Sequence, residues 1–222
     1  ALLDELFYIL TVPVIILAVG YQELFPVQLQ KEILGIELGT KGIFLVGYFF
    51  IVLLTTFISY AIFFRPRGFK WILLQIFRLP FLRKWRHDAS ETGDDIMTTS
   101  KELKGKPISF WLKAFSATLV SWTARFWVVN FLILAFTPVG DHLLIYGRQL
   151  VMWVIMLISP TPGGTGVAEV AFSGFLADFI PLGLIGTLAL MWRLVSYYPY
   201  LFIGAIILPK WIRKTHAPKK ED

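Results

Sequence analysis

Long apolar stretches, each closed by a short run of basic or turn-forming residues, set the rhythm of this chain. Gly42 to Phe64 runs 23 residues without a charge. At ~1.5 Å of helical rise per residue it covers the ~30 Å hydrocarbon core of a bilayer, and Arg65-Pro66-Arg67 stops it. Leu6 to Gly20 is shorter and is expected to begin its crossing nearer Leu2. Ala114 to Thr137 and Leu182 to Leu208 are also long enough to cross. Each carries one arginine, Arg125 and Arg193, at its twelfth position. Between the spans, Phe69, Ile72, Leu73, Ile76 and Phe77 recur at helical spacing while Arg67, Lys70 and Arg78 supply charge, a pattern that predicts an amphipathic helix lying in the membrane interface. His87 to Lys106 is polar and reads as a solvated connector, with Asp94-Asp95 as a helix start or surface pair.

Loop cations orient these spans. Arg65 to Lys113 holds 11 Lys or Arg and the tail after Pro209 holds five, against two in Tyr21 to Lys41. By the excess of cations on cytoplasmic loops, both basic segments face the cytoplasm, and residues 65–113 form a cytoplasmic basic loop. The turn at Pro138-Val139-Gly140-Asp141 then faces the opposite side, and the chain must return by Lys210. Leu143 to Ser159 and Val167 to Ile180 lie between and must jointly make no net crossing. Two half-helices forming a re-entrant hairpin satisfy that parity, as do two short full spans; the shortness of both pieces favours the hairpin. The expected fold is all-α: a polytopic transmembrane helix bundle with a broken or re-entrant helical hairpin at Pro160 to Gly166, residues 1–222 making one integral membrane domain.

Composition agrees with a bilayer as solvent. Of 222 residues 56% are hydrophobic and 16% charged, with 20 Phe and 8 Trp, well away from the roughly 25% charged content of a soluble domain. With no cysteine, disulfides and thiolate chemistry are excluded. The net charge of +6 flanks apolar spans and so points to anionic headgroups, not nucleic acid. An abrupt apolar start, without an initiator Met or a basic run before Leu6, does not read as a signal peptide and leads us to expect further natural sequence before Ala1.

The segment richest in chemistry is Ser159-Pro160-Thr161-Pro162-Gly163-Gly164-Thr165-Gly166-Val167-Ala168-Glu169. Its prolines and glycines cannot continue a helix. At membrane depth such backbone survives only when buried in protein or lining a wet cavity. A helix resuming near Gly166 would aim its free N–H groups and positive dipole end at that cavity, which suits an anion such as a phosphate. An ordinary turn at the water surface is the plainer alternative. Arg125, Arg193 and Glu169 are the deep charges beside it, and an unpaired charge at that depth costs at least ~2.5–3.5 kcal/mol on insertion scales, so all three should face the bundle interior. Two cations and one carboxylate leave a positive surplus for an anionic headgroup. The alternative is that Glu169 neutralises one arginine while carbonyls satisfy the other. Arg193, Ser196, Tyr197, Tyr200 and Gly204 give the last span one polar, small-residue face, as Thr118, Ser121, Trp122 and Arg125 do for the earlier one; both faces are equally compatible with helix packing. A hairpin would bring Arg148 and Asp178 to matched height, where opposite charges should pair. The three histidines fall in loops or the tail, and no nucleotide-binding or zinc-protease motif is present, so no cofactor and no metal site are expected.

Pro162, Gly163, Gly164, Gly166 and Glu169, followed by a span with a central Arg193, resemble the lysylphosphatidylglycerol synthase transmembrane region family, the flippase-like integral membrane proteins. Ser121-Trp122 and Asp4-Glu5 are similar to that family more weakly. The resemblance implies that roughly the first third of the natural protein is missing, and that this region is similar to the lipid flippase part of bacterial multiple peptide resistance factors. In those proteins a cytosolic aminoacylating domain follows, whereas here the chain ends in Lys219-Lys220-Glu221-Asp222; the resemblance therefore implies translocation or a lipid-linked sugar role more than lysyl transfer. The resulting expectation is a lipid translocase of a prokaryotic cytoplasmic (inner) membrane, multi-pass with a cytoplasmic C-terminus. It would bind the anionic headgroup of a membrane phospholipid with Arg125, Pro162, Gly163, Gly164, Gly166, Glu169, Arg193 and Tyr197. A membrane enzyme or accessory subunit acting on a lipid-linked substrate is the alternative. A homo-oligomer stays open.

Overall fold

The computed structural model describes residues 2–26, 39–78, 83–157, 164 and 166–215. The described residues form nine α-helices and no strand. They are α1 (Leu2–Val19), α2 (Thr40–Phe63), α3 (Pro66–Ile76), α4 (Arg86–Lys104), α5 (Ile108–Leu134), α6 (His142–Met156), α7 (Val167–Leu176), α8 (Ile185–Ser196) and α9 (Tyr198–Thr215). The all-α polytopic architecture expected from the pattern is what is found. Among the described residues, four stretches are long and apolar enough to span a membrane: Leu2–Val19, Thr40–Phe63, Ile108–Leu134 and Ile185–Pro209.

Two compact units are present, Ala1–Val14 with Gly42–Trp122, and Ile15–Lys41 with Thr123–Asp222. In the first, the Tyr48 hydroxyl donates to the Ile9 carbonyl at 2.9 Å, and the Trp122 indole N–H donates to Asp4 at 2.8 Å, with Phe7 stacked on the Trp122 ring. The acidic start and the Ser-Trp pair are thus joined directly. The same unit corrects the reading of His87 to Lys106. It is a helix, α4, and it packs on α3. Two contacts explain why so polar a segment is ordered. Ser100, buried, donates its hydroxyl to the Ile62 carbonyl at the end of α2. Asp94, in mid-helix, pairs with Lys70 of α3 at 2.6 Å. The amphipathic α3 buries none of its residues in protein, as expected of a helix that gives its apolar face to lipid.

In the second unit α6 packs on α7, and α8 packs on α7 and α9. Its core gathers Phe126, Ile133, Leu150, Met152, Phe172 and Leu176. Arg148, midway along α6, meets Phe175 near the end of α7, while Met156 at the end of α6 approaches Gly164 before α7. The two short helices are therefore an antiparallel hairpin. The last span differs from the uninterrupted stretch expected: it is divided at Tyr197 into α8 and α9. Pro199 is the physical cause, since its ring excludes the carbonyl four residues back and it has no N–H to continue the ladder.

Candidate functional site

The site is built where α7 begins. Gly166 caps that helix with φ of 83°, and Gly164 sits at φ of 65°, backbone that a side chain resists but glycine adopts freely. One turn into the helix, Glu169 folds back so that its Oε2 accepts the Gly166 N–H at 2.7 Å. This is half of a capping box, satisfying one of the donors a helix start leaves over. The other oxygen, Oε1, accepts from Arg193 Nε of α8 at 3.0 Å. Arg193 Nη2 donates onward to the Gly164 carbonyl at 3.1 Å. One guanidinium thus ties together the irregular backbone, the helix start and the neighbouring helix.

Aromatic rings complete the seat. The Arg193 guanidinium lies 4.9 Å from the Tyr197 ring centre and 5.4 Å from that of Trp192, distances at which a cation is held by ring quadrupoles. Trp192 in turn stacks on Phe172 of α7 at 5.2 Å. Tyr197 follows Arg193 by four positions and so shares its helix face. Arg193 is only 7% exposed, whereas the Glu169 side chain is 40% exposed, so the pair presents its carboxylate outward. A Cβ built on Gly164 would stand 3.2 Å from Met156 Cε and 3.8 Å from Arg193 Nη2, which shows how closely backbone, α6 and guanidinium approach.

Of the residues proposed from sequence, Gly164, Gly166, Glu169, Arg193 and Tyr197 come together here. Pro162 and Gly163 lie outside the described residues, as do Pro160 and the tip of the hairpin. Arg125 is exposed on α5, with its guanidinium 5.5 Å from the ring centre of Tyr200 on α9. Glu169 is neutralised by Arg193. Sequence reasoning missed Met156, Phe172 and Trp192, which back the site; the helical spacing of Trp192 with Arg193's span was the only signal, and it is shared by any buried aromatic.

A second arginine pair stands at the far end of the same hairpin. Arg148 Nη1 donates to Asp178 Oδ2 at 2.7 Å and to the Phe175 carbonyl at 3.1 Å, and its Nε donates to the Glu23 carbonyl at 3.1 Å. The pairing expected of a hairpin is present. Beside Arg148, a Cβ on Gly147 would meet Leu24 Cδ2 at 2.6 Å and Ile15 Cγ2 at 2.7 Å, so α6 is pressed against the end of α1 and the segment that follows it. Among the described residues, no group of three His, Asp or Glu is placed to hold a metal ion.

Comparison with known proteins agrees with this architecture. The family described as Lysylphosphatidylglycerol synthase TM region matches residues 1–204. A curated relative, a "UPF0104 membrane protein" of Archaeoglobus fulgidus, is 33% identical over 108 residues, which are 49% of this chain and 33% of that protein. The matched stretch therefore spans about a third of the relative's length. No solved structure matches significantly.

Proposed function

Because this chain belongs to the lysylphosphatidylglycerol synthase TM region family, we propose that it is a flippase-like lipid translocator. Its substrate is an anionic phospholipid, or a lipid-linked headgroup carrying phosphate, received at the start of α7. The observation that carries this reading is the buried Arg193, which holds both Glu169 and the Gly164 carbonyl at a helix N-terminus bounded by positive-φ glycines. Such a terminus favours an anion through its unpaired N–H groups and dipole. At rest Glu169 occupies that place. A headgroup phosphate arriving there exchanges with the Glu169 carboxylate for Arg193 Nε and the first N–H groups of α7, so binding replaces one charge-assisted contact by another and strands no buried cation. Arg125 and Tyr200 offer a further cation and ring along the path of α9.

In this reading α6 and α7 are re-entrant half-helices whose joint lies at membrane depth, as in transporters with broken helices. The membrane is a prokaryotic cytoplasmic membrane and the C-terminus is cytoplasmic, a reading supported by the basic clusters at 65–113 and after Pro209. The test has two stages: mass spectrometry of lipid that copurifies with the protein, then leaflet accessibility of a fluorescent phosphatidylglycerol in proteoliposomes. Exchange above protein-free vesicles, lost in Arg193→Ala, is expected. Exchange indistinguishable from protein-free vesicles overturns the proposal.

A further inference from the structure

The first unit contains a bipartite cavity that the translocation site does not use. At the corner between α2 and α3, a cavity of about 520 Å³ is lined by Arg65, Arg67, Lys101 and Lys104, with Ser100 and Met97 at its floor. Met97, Ser100, Lys101 and Lys104 fall at i, i+3, i+4 and i+7, one face of α4. The lining holds four cations and no carboxylate. None of the four forms an ion pair among the described residues. The cation that does have a partner, Lys70, is drawn to Asp94 elsewhere on α4. The first turn of α3 adds donors, since Arg65 caps it without a side-chain hydrogen bond and the N–H groups of Arg67 and Gly68 have no place in the helical ladder.

Directly adjoining, and sharing Arg65 and Gly68, is a second cavity of about 220 Å³ lined by Phe57, Tyr60, Ala61, Phe69, Trp71 and Ile72. This one is apolar apart from its rim. Phe57 of α2 and Phe69 of α3 meet edge to face at 5.6 Å, fixing the angle of the groove, while Trp71 is 64% exposed. The two halves are held at a set spacing. Ser100 anchors α4 to the end of α2, and Lys70 with Asp94 anchors it to α3. At Gly93, a Cβ would stand 2.6 Å from the Lys70 side chain, so α4 seats against α3 without a gap.

A cationic cup joined to an apolar groove, at the end of a spanning helix and beside an interfacial one, matches one kind of molecule. We propose that this corner binds an anionic phospholipid from the adjoining leaflet, its phosphate among Arg65, Arg67, Lys101 and Lys104 and an acyl chain along Phe57, Trp71 and Ile72. A soluble anion needs only the first cavity. A zwitterionic lipid fits the groove but gains little from four uncompensated cations, which favour an anionic headgroup. The site shares no residue with the one at Arg193, so it stands or falls independently of translocation.

The experiment reads Trp71. The full chain is reconstituted in phosphatidylcholine vesicles containing a tenth of either brominated phosphatidylglycerol or brominated phosphatidylcholine, and quenching attributable to Trp71 is taken as the difference between wild type and Trp71→Phe. Quenching at least threefold stronger by the phosphatidylglycerol is expected, falling to the phosphatidylcholine level in Arg65→Gln/Arg67→Gln and in Lys101→Gln/Lys104→Gln. The second pair is not part of the basic stop that follows α2, so it decides the matter if the first fails to insert. Arg193→Ala should leave this signal unchanged. Equal quenching by the two lipids overturns the proposal. So does full reversal of the selectivity by millimolar inorganic phosphate with no dependence on the apolar lining in Ile72→Ser, which would make this a soluble-anion site.

Discussion

The two arginine–carboxylate pairs at opposite ends of the α6–α7 hairpin are nearly matched by their numbers and differ in what surrounds them. Arg148 and Arg193 each have side chains 8% exposed, and their partners Asp178 and Glu169 are 43% and 40% exposed. Arg148 spends its donors on the Glu23 and Phe175 carbonyls, which end neighbouring segments of ordinary backbone. Arg193 spends one on the Gly164 carbonyl, within backbone that only glycine holds comfortably, and its carboxylate partner is itself capping a helix start. A pair that closes chain ends over one another is a staple. A pair that fills a helix N-terminus with its own carboxylate has a built-in substitute for an external anion. Burial and ion pairing alone therefore do not distinguish structure from function here; the conformation of the partner backbone does.

The widest separation between the two pairs should come from deleting each arginine. Arg193→Ala is expected to lower lipid exchange about a hundredfold, since ~2.7 kcal/mol lies within the ~1.5–3 kcal/mol of hydrogen bonds to a charged group and each ~1.4 kcal/mol is a factor of ten. Melting in detergent should fall only slightly. Arg148→Ala should do the reverse. It leaves two carbonyls and Asp178 without their donor, a loss of ~2 kcal/mol in stability, held below the ~3–5 kcal/mol of a fully buried pair because water reaches Asp178. Exchange per folded molecule should be retained. If both variants lose stability and exchange in the same proportion, the distinction between staple and site fails.

Much of this arrangement was legible in the sequence, for a specific reason. Prolines and glycines up to Gly166 cannot continue a helix, and that constraint is local, so the start of α7 at Val167 followed from residue types alone. The Arg148–Asp178 pair was expected from the similar number of residues separating each from the Pro-Gly run, and the two side chains do pair. What failed was local pattern without context. His87 to Lys106 shows no apolar face, so its helix was invisible; its order comes from Ser100 and Asp94, whose partners lie 38 and 24 positions away. The division at Tyr197 was signalled by Pro199 and overlooked because the surrounding hydropathy ran on unbroken. At the site, the sequence named Glu169 and Arg193 but left open whether they pair, since depth alone does not say which of two arginines reaches a carboxylate.

Glycines near each pair sharpen the comparison at smaller cost. Gly147→Ala inserts a methyl where Leu24 and Ile15 already stand 2.6 and 2.7 Å away, and overpacking of this kind costs ~1–3 kcal/mol. A lowered melting temperature with normal exchange is expected. Gly164→Ala meets Met156 Cε at 3.2 Å, the flexible end of a side chain, so its strain is the ~1–2 kcal/mol of a left-handed backbone. Its effect should appear in exchange more than in melting, because the carbonyl that shifts is the one Arg193 holds. Reversal of these two outcomes would move the functional site to the Arg148 end.

The smallest expected effects discriminate most finely, because they remove charge and keep shape. In Asp178→Asn the amide oxygen can still accept from Arg148, and with the side chain part-exposed the lost charge should cost ~1 kcal/mol or less. Exchange and lipid binding should not move. In Glu169→Gln the single amide oxygen can keep either the Arg193 contact or the Gly166 N–H, since the amide nitrogen only donates, and the consequence differs further because Glu169 holds the place of an arriving anion. Removing its charge leaves Arg193 uncompensated, so binding of an anionic lipid should tighten about threefold, ~0.65 kcal/mol, while exchange slows because release becomes harder. The measurement is titration of phosphatidylglycerol against each variant in detergent, alongside the exchange assay. A Glu169→Gln protein that binds the lipid more weakly, as Arg193→Ala should, would mean that the carboxylate positions Arg193 for the lipid and does not compete with it.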